Sequence, residues 1–536
     1  MKRSPVRRAV WLLPLTTTIA LVCALAALGA TTHRSAAPTL VVDNSFTIKT
    51  SDPQRAFDPT ASIVDRAIFD TLFTYNKGDL TTPIPLLVQS WKASNGAKTF
   101  TFQLKKNARF ANGTPLTSAD VVFSLNRLIN IKGNPAFLLA GITVSAHGKY
   151  TVVMKSATPA TQLTAILANP STGIVNSKLV KANGGTAAAD ASTADKAEQF
   201  LNTAASIGAG SGPYTLKTYS TTSEISLAPN AKYWGPKKPG FGTVVVRNML
   251  APTQLLNVQR GSHEVAIDLS SDQAQTLKSN SKVHVSLQPS TWTFWLFTNN
   301  DSSVSSVTSN KQFQTAVRYA LDYQSIVSIA GPGAIQAPGV IPSMFLGALP
   351  QKDAIKQNVT KAKAALAASG VGSQQVTLEY PSDLTINGVP FTTMAQKVQA
   401  NLQSAGFNVT LSGSPTSSWL TKYRDGKMAF GLSLWGPDYP DPADYLAFTP
   451  GQLVGLRAGW PKGSDAAIET LAAKALVTTA PAARKSIYEQ IQLQLNQRGP
   501  FIPLLQPTQV FVATSDLTNA VYNSVYSVDV THVSPK

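Results

Sequence analysis

Cysteine is nearly absent from this 536-residue chain: there is one, Cys23, inside an apolar stretch near the N-terminus. A single thiol closes no intrachain disulfide, and a chain trimmed past residue 30 would hold neither a thiolate metal site nor a cysteine nucleophile. Val22 precedes it where lipid attachment requires a small residue, which argues against a lipid anchor. Histidine is scarce as well. The five present, His33, His147, His263, His284 and His532, are widely spaced, with no HExxH and no Cys/His cluster, so the pattern of a zinc centre is missing. No G-x-S-x-G elbow occurs; Ser211 in GAGSGPY stands among glycines at the wrong spacing and ahead of Pro213, which reads as a turn. The same glycines lack the following Lys-Ser/Thr of a phosphate loop.

Acid is the minority charge, 28 Asp plus Glu against 46 Lys plus Arg, for a net charge of +18, and charged residues are only 14% of the chain. The bases are scattered singly through Ser/Thr-rich sequence, without an arginine-rich run or an aromatic RNP-type stretch. The excess therefore reads as a solvated basic surface suited to anionic lipid or an acidic medium, and not as a nucleic-acid interface. A carboxylate pair for acid/base work would have to come from Asp438, Asp441 and Asp444, and nearness in sequence does not place two carboxylates across a scissile bond. With catalytic spacing missing, the chain reads as a binding protein without metal or cofactor.

What is present begins with MKRSPVRRAV, which sets Lys2, Arg3, Arg7 and Arg8 ahead of an apolar run from Trp11 to Ala30. That is the arrangement of a secretory signal over residues 1–30; the run is also long enough for an uncleaved membrane anchor, which stays open. Residues 31–39 read as a small-residue linker. Loss of the leader's four bases would still leave about +14, a strongly basic exported protein. At 536 residues the chain exceeds what one core usually supports, so two or more lobes are expected. Hydrophobic residues at 43%, with 34 Gly and 34 Pro, indicate a globular protein with many loops.

Periodicity predicts a helix through IVDRAIFDTLFTYN, with Ile63, Ala67, Ile68 and Leu72 on one face. A strand pair follows in SWKASNGAKTFTFQL, turning at Asn95-Gly96, and then a helix starting at Thr117 or Ser118 with Asp120 in its first turn. Residues 181–206 read as a loop with a short surface helix. Strands are expected at FGTVVVRNM and TWTFWLFTNN. Helices are expected at 311–329, 359–369, 391–405 and 481–498. VTLEY, NVTLSG and AFGLSLW alternate with the middle helices, a β-α-β pattern that implies a parallel or mixed sheet.

Several separated segments then carry a family resemblance. SWKASNGAKTFTFQLKKNARFANGTPLTSADVVFSL, GSGPYTLKTY, APNAKYWGPKKPGFGTVVVR, FQTAVRYALDYQSIV, VTKAKAALAASG, WGPDYPDPADYL and GPFIPLL occur in this order. Together they resemble the extracytoplasmic solute-binding proteins of peptide-type ABC importers, family 5, over most of residues 56–505. The resemblance implies an α/β, two-lobed periplasmic-binding-protein-like fold of cluster C type, with three domains, mixed sheets and an interlobe ligand cleft. By that analogy residues 40–79, 166–288 and 506–536 form domain I, 80–165 domain II and 289–505 domain III. The chain would cross between lobes near 289–300 and 500–506, where Pro289, Pro500 and Pro503 suit stiff connectors. It further implies export to the periplasm or cell surface, a monomer, a small peptide or other small solute as ligand, and a membrane permease as partner. A sugar, metal chelate or opine as cargo stays open, as do a peptidase-like enzyme and a basic adhesion protein.

Within WGPDYPDPADYL, Asp438 matches the family aspartate that pairs with a peptide's α-amino group; its bland alternative is a turn cap. Asp441-Pro442-Ala443-Asp444 places an N-cap, a proline in the first helical position and a first-turn acid, so Asp441, Pro442 and Asp444 read as helix-starting residues. Trp435 is expected either over the ligand or in the core, and Tyr439 is a ligand candidate that leans structural. For the ligand's carboxylate, YPSDLTINGVPF lacks the arginine that the resemblance would supply, and Leu432 stands where oligopeptide binders carry one. Arg424, with Trp419 ahead of it, is the remaining candidate.

Overall fold

Thr293–Thr298, TFWLFT, is a strand buried at every position. Continuous apolar character of this kind belongs to a strand covered on both faces, and full burial of each aromatic contributes about 1.5–3 kcal/mol. In the computed structural model of the protein, which describes residues 37–536, this strand lies inside a six-stranded mixed sheet. The order is Ile335–Gln336, Phe501–Gln506, Thr293–Thr298, Phe430–Trp435, Val376–Pro381, Val409–Ser414. Val376–Pro381 runs parallel to Val409–Ser414 across the helix Phe391–Ser404, the expected β-α-β unit. Pro503 brings no N–H to the ladder, and the register slips there: Phe294 faces Leu505, yet Trp295 faces Pro503. The expected signal or anchor, with Cys23 and His33, lies outside the described residues, as does the linker up to residue 36.

A second, seven-stranded sheet gathers distant parts of the chain in the order Val283–Pro289, Thr508–Thr514, Glu264–Ala266, Thr39–Asn44, Thr243–Asn248, Glu224–Pro229, Tyr214–Thr218. Thr39–Asn44 is parallel to both of its neighbours and the remaining pairs are antiparallel. A third sheet is antiparallel throughout, Val88–Ser94, Thr99–Leu104, Thr151–Ser156 and Ile142–Ala146 in spatial order. Phe100, Phe102, Leu104, Val152 and Met154 point to one side, where they are buried. The helix Ser118–Ile131 packs there, closed at its start by a reciprocal cap between Thr117 and Asp120.

Arg127 on that helix is fully buried and fixes it to the rest of the chain. Its guanidinium donates to Asp52 at 2.6 Å and to Asp195 at 2.7 and 2.8 Å. Asp195 lies in the stretch read from sequence as a surface loop. The stretch is largely exposed and does hold short helices, Ala191–Ala194 and Glu198–Leu201, but Asp195 itself is buried, because Arg127 and Arg55 reach it from 68 and 140 residues upstream, which no local pattern reveals.

The six- and seven-stranded sheets are joined at two places: Ser290–Trp292 between one pair of strands, and Pro507 between the other. The crossings are bonded to each other, Ser290 N–H to Pro507 O at 2.8 Å and Gln506 Nε2 to Ser290 O at 2.8 Å. The second crossing falls just past the expected 500–506, because Phe501–Gln506, with Pro503 inside it, is absorbed into the sheet. Other boundaries also move. The first helix is Pro59–Ile68, capped by Asp58, so Leu72 lies beyond it. The expected 311–329 helix breaks after Ala320, and Asp322 caps a second segment, Tyr323–Val327. Among the described residues no helix is long and apolar enough to cross a membrane.

Candidate ligand-binding site

The stretch WGPDYPDPADYL runs off the end of Phe430–Trp435 and into a 3₁₀ helix, Pro442–Phe448, rather than an α-helix. Gly436 is dictated by a close approach: a Cβ there would stand 2.7 Å from the ring of Trp292, in the first crossing. The loop is thereby seated against the connection between sheets.

Two cavities meet at this loop. One, of about 780 Å³, is bounded by Trp435, Asp438, Tyr439, Asp444, Gln162, Lys462 and Glu469. The other, of about 430 Å³, is bounded by Asp58, Asn169, Trp292, Asp438, Tyr439 and Tyr522. Both draw walls from parts of the chain belonging to different sheets, so they form a cleft between them. Asp438 and Tyr439 face both cavities.

The three aspartates of the loop do three different things. The backbone N–H of Asp438 donates to Asp444 Oδ2 at 3.2 Å, while the Asp438 carboxylate accepts no hydrogen bond and joins no ion pair among the described residues. Burial alone raises its pKa above the ordinary carboxylate value. A half-buried carboxylate without a donor is an incomplete pair, and a cation entering either cavity completes it.

Asp441 caps the 3₁₀ helix through Ala443 N–H at 2.9 Å and also holds Arg484 in a bidentate pair, at 3.0 and 2.5 Å. Pro442 occupies the first helical position. Arg484 comes from the helix Pro481–Arg498, and its guanidinium lies over the ring of Tyr488. The buried arginine 43 residues downstream is a partner that the sequence did not announce.

Asp444 is the first-turn acid expected of it and has a second role. It stands in the first turn, but its carboxylate serves the site: Oδ2 accepts from Trp435 Nε1 at 2.8 Å as well as from Asp438 N–H. It thereby sets the orientation of the Trp435 indole and of the Asp438 backbone. Burial, and then the charge of Asp438, push its pKa up to about 7. Trp435 lies on the cavity wall with its ring edge-on to Phe448.

Neither candidate for the far end of the ligand reaches the cleft. Trp419 is 3% exposed and stacks on Tyr423 at 5.1 Å, 15° from coplanar, inside the core. Arg424 is exposed at the end of the helix Thr416–Arg424, where the amphipathic turn puts it opposite the buried Trp419 and Tyr423. Leu432 is fully buried. The one cation among the residues bounding either cavity is Lys462, which sequence reading passed over because it lies in an irregular stretch, WPKGS. Its ammonium has no hydrogen-bond partner among the described residues. Gly451 backs the stretch, with its N–H donating to Trp460 O at 2.9 Å.

Three sheets, two adjoining crossings and a cleft centred on an unpaired carboxylate define a solute receptor, built to enclose a small molecule between parts of the chain. Residues 82–452 match the sequence profile of the bacterial extracellular solute-binding proteins, family 5 Middle, and the chain belongs to that family. It is 28% identical over 494 residues to the probable D,D-dipeptide-binding periplasmic protein DdpA of Escherichia coli K12, covering 90% of this chain and 91% of that one. Identity to the periplasmic oligopeptide-binding protein OppA of the same organism is 24% over 504 residues, covering 87% and 86%. The structure of HbpA2 from Haemophilus parasuis superposes with a TM-score of 0.81 at 20% identity, over 93% of this chain and all of that one. The fold is therefore the α/β, mixed-sheet, periplasmic-binding-protein-like architecture that the resemblance implied.

Proposed function

We propose that this protein is the substrate-binding component of an ABC importer, capturing a short peptide in the cleft and handing it to a membrane permease. The observation that carries the reading is Asp438: a carboxylate facing both cavities, raised in pKa by burial and left without a protein donor. A peptide's α-ammonium supplies the missing charge, and a charge-assisted hydrogen bond of this kind is worth about 1.5–3 kcal/mol net. Asp444 holds the Asp438 backbone and the Trp435 ring in place, and Trp435 and Tyr439 give the cargo an aromatic wall. Lys462 is the partner we assign to the cargo's carboxylate. The relatives DdpA and OppA are described as dipeptide- and oligopeptide-binding, which favours peptide over other solutes.

Closure on the cargo is a population shift, set by how much better the closed form binds it than the open form. The paired crossings at Ser290–Trp292 and Pro507 are the short connections about which the lobes would turn. The proposed domains are 40–79, 166–288 and 508–536 as domain I, 80–165 as domain II, and 289–507 as domain III, the last boundary lying at Pro507 instead of 505. The protein acts outside the cytoplasm as a monomer, binds without turnover, and is held at the membrane where residues 1–30 stay attached. Native mass spectrometry of the purified protein, followed by thermal-shift titration with di- to pentapeptide pools, tests the reading. A co-purified peptide mass and a ligand-dependent shift are expected. A non-peptide mass with no response to any peptide pool would remove the peptide assignment.

A further inference from the structure

Charge is distributed very unevenly along this chain. Residues 80–165 contain nine Lys and Arg and a single acid, Asp120, whereas residues 37–536 as a whole contain 41 basic and 28 acidic residues. This segment thus supplies eight of thirteen net positive charges. Its lone acid is turned inward: Asp120 is 6% exposed, and its carboxylate accepts from Thr117 and Ser177. Its one buried arginine, Arg127, is already paired with Asp52 and Asp195. The other eight cations form no ion pair among the described residues.

The four-stranded sheet sets two of them, Lys92 and Lys155, on one face, and two more stand at its ends. Register aligns Lys92 with Thr101, Val153 and Ser145, and the next row aligns Thr99 with Lys155 and Thr143. Lys98 closes one end, its carbonyl accepting from Ser156 N–H at 2.9 Å. Lys149 stands at the other end, beside Tyr150, whose carbonyl accepts from Leu104 N–H at 2.8 Å. The helix Ser118–Ile131 covers the opposite face. The open face therefore presents hydroxyls and ammonium groups with no carboxylate. Trp91, next to Lys92 on the edge strand, points to the other side, where its ring packs on Phe73 and Phe100.

We propose that this sheet face docks the protein on an anionic phospholipid surface. Separated lysines on a flat, hydroxyl-rich face offer no fork geometry for one discrete anion, but their charges sum against a diffuse negative surface. The docking is independent of the cargo cleft, whose residues lie elsewhere.

Co-sedimentation of the full chain with phosphatidylcholine vesicles, with and without phosphatidylglycerol, tests this. Wild type should bind the anionic vesicles in excess of the neutral ones, and that excess should be lost at about 0.5 M salt. Each lysine close to such a surface is worth about fivefold in partitioning, so Lys92→Gln/Lys98→Gln/Lys149→Gln/Lys155→Gln should weaken binding on the order of several hundredfold, with thermal stability unchanged. The N-terminal apolar segment is common to both proteins, so the difference reads the sheet face. Equal vesicle binding by wild type and the four-lysine variant overturns the proposal, and so does wild-type binding to soluble polyphosphate with none to anionic vesicles.

Discussion

Replacing Asp441 by alanine removes both acceptors of the Arg484 guanidinium and the cap on Ala443 N–H. Asp441 and Arg484 are each 7% exposed, so the stranded arginine reaches water only if the helix Pro481–Arg498 parts from the 3₁₀ helix. Breaking one side of a buried ion pair typically costs about 3–5 kcal/mol, and a lost cap costs about 1 kcal/mol. One carboxylate does both jobs, so the two do not add, and the expected loss is about 3–5 kcal/mol. Asp438→Asn is the matched comparison. Its carboxylate accepts no protein hydrogen bond, and a neutral isostere removes a desolvated charge, so stability should change by less than about 0.5 kcal/mol. Urea denaturation of the cargo-free proteins, followed by circular dichroism, reads both. Asp441→Ala/Arg484→Met should recover most of the loss, because no uncompensated charge remains. Equal destabilisation by Asp441→Ala and Asp438→Asn, or a loss below about 1 kcal/mol for Asp441→Ala, would refute the division of labour within the loop.

Asp444, with its pKa raised to about 7, binds its proton more tightly in the folded state. Its stabilising protonation is fully present below pH about 4 and is lost as pH rises through about 7. Cargo-free protein should accordingly lose stability across that window, and Asp444→Asn should flatten the dependence in pH-resolved thermal melts. A cation seated at Asp438 favours ionised Asp444, so affinity for a peptide should rise with pH through about 7, with proton release seen as buffer-dependent heat in calorimetry. Lys462→Gln should weaken a free-acid peptide about tenfold, or 1.4 kcal/mol, and leave its C-terminal amide unaffected in the same titration.

Local signals carried much of this fold. Pro481 and Gly499 bracket a helix that spans Pro481–Arg498 as expected, and the apolar run at TFWLFT is the buried strand it resembles. Patterning failed where partners are remote. Asp195 looked like surface because Arg127 and Arg55, which bury it, lie 68 and 140 residues upstream. In the site, the separation of Asp438 from Asp441 followed from proline and capping chemistry. The attachment of Asp444 to Trp435 did not, because it depends on how a strand end folds back over nine residues. Arg424, with Trp419 ahead of it, was reached by elimination, and the stack on Tyr423 turns the Trp419 indole into the core.

The most direct measurement is calorimetric titration of one peptide and its N-acetylated counterpart into wild type and Asp438→Asn. An ammonium–Asp438 pair worth about 1.5–3 kcal/mol corresponds to roughly 10- to 150-fold. Acetylation should therefore weaken wild-type binding by that factor and leave the variant nearly indifferent, with the two losses not adding. Undiminished binding of the acetylated peptide by wild type, or unchanged peptide affinity in Asp438→Asn, would contradict a cleft organised around that carboxylate.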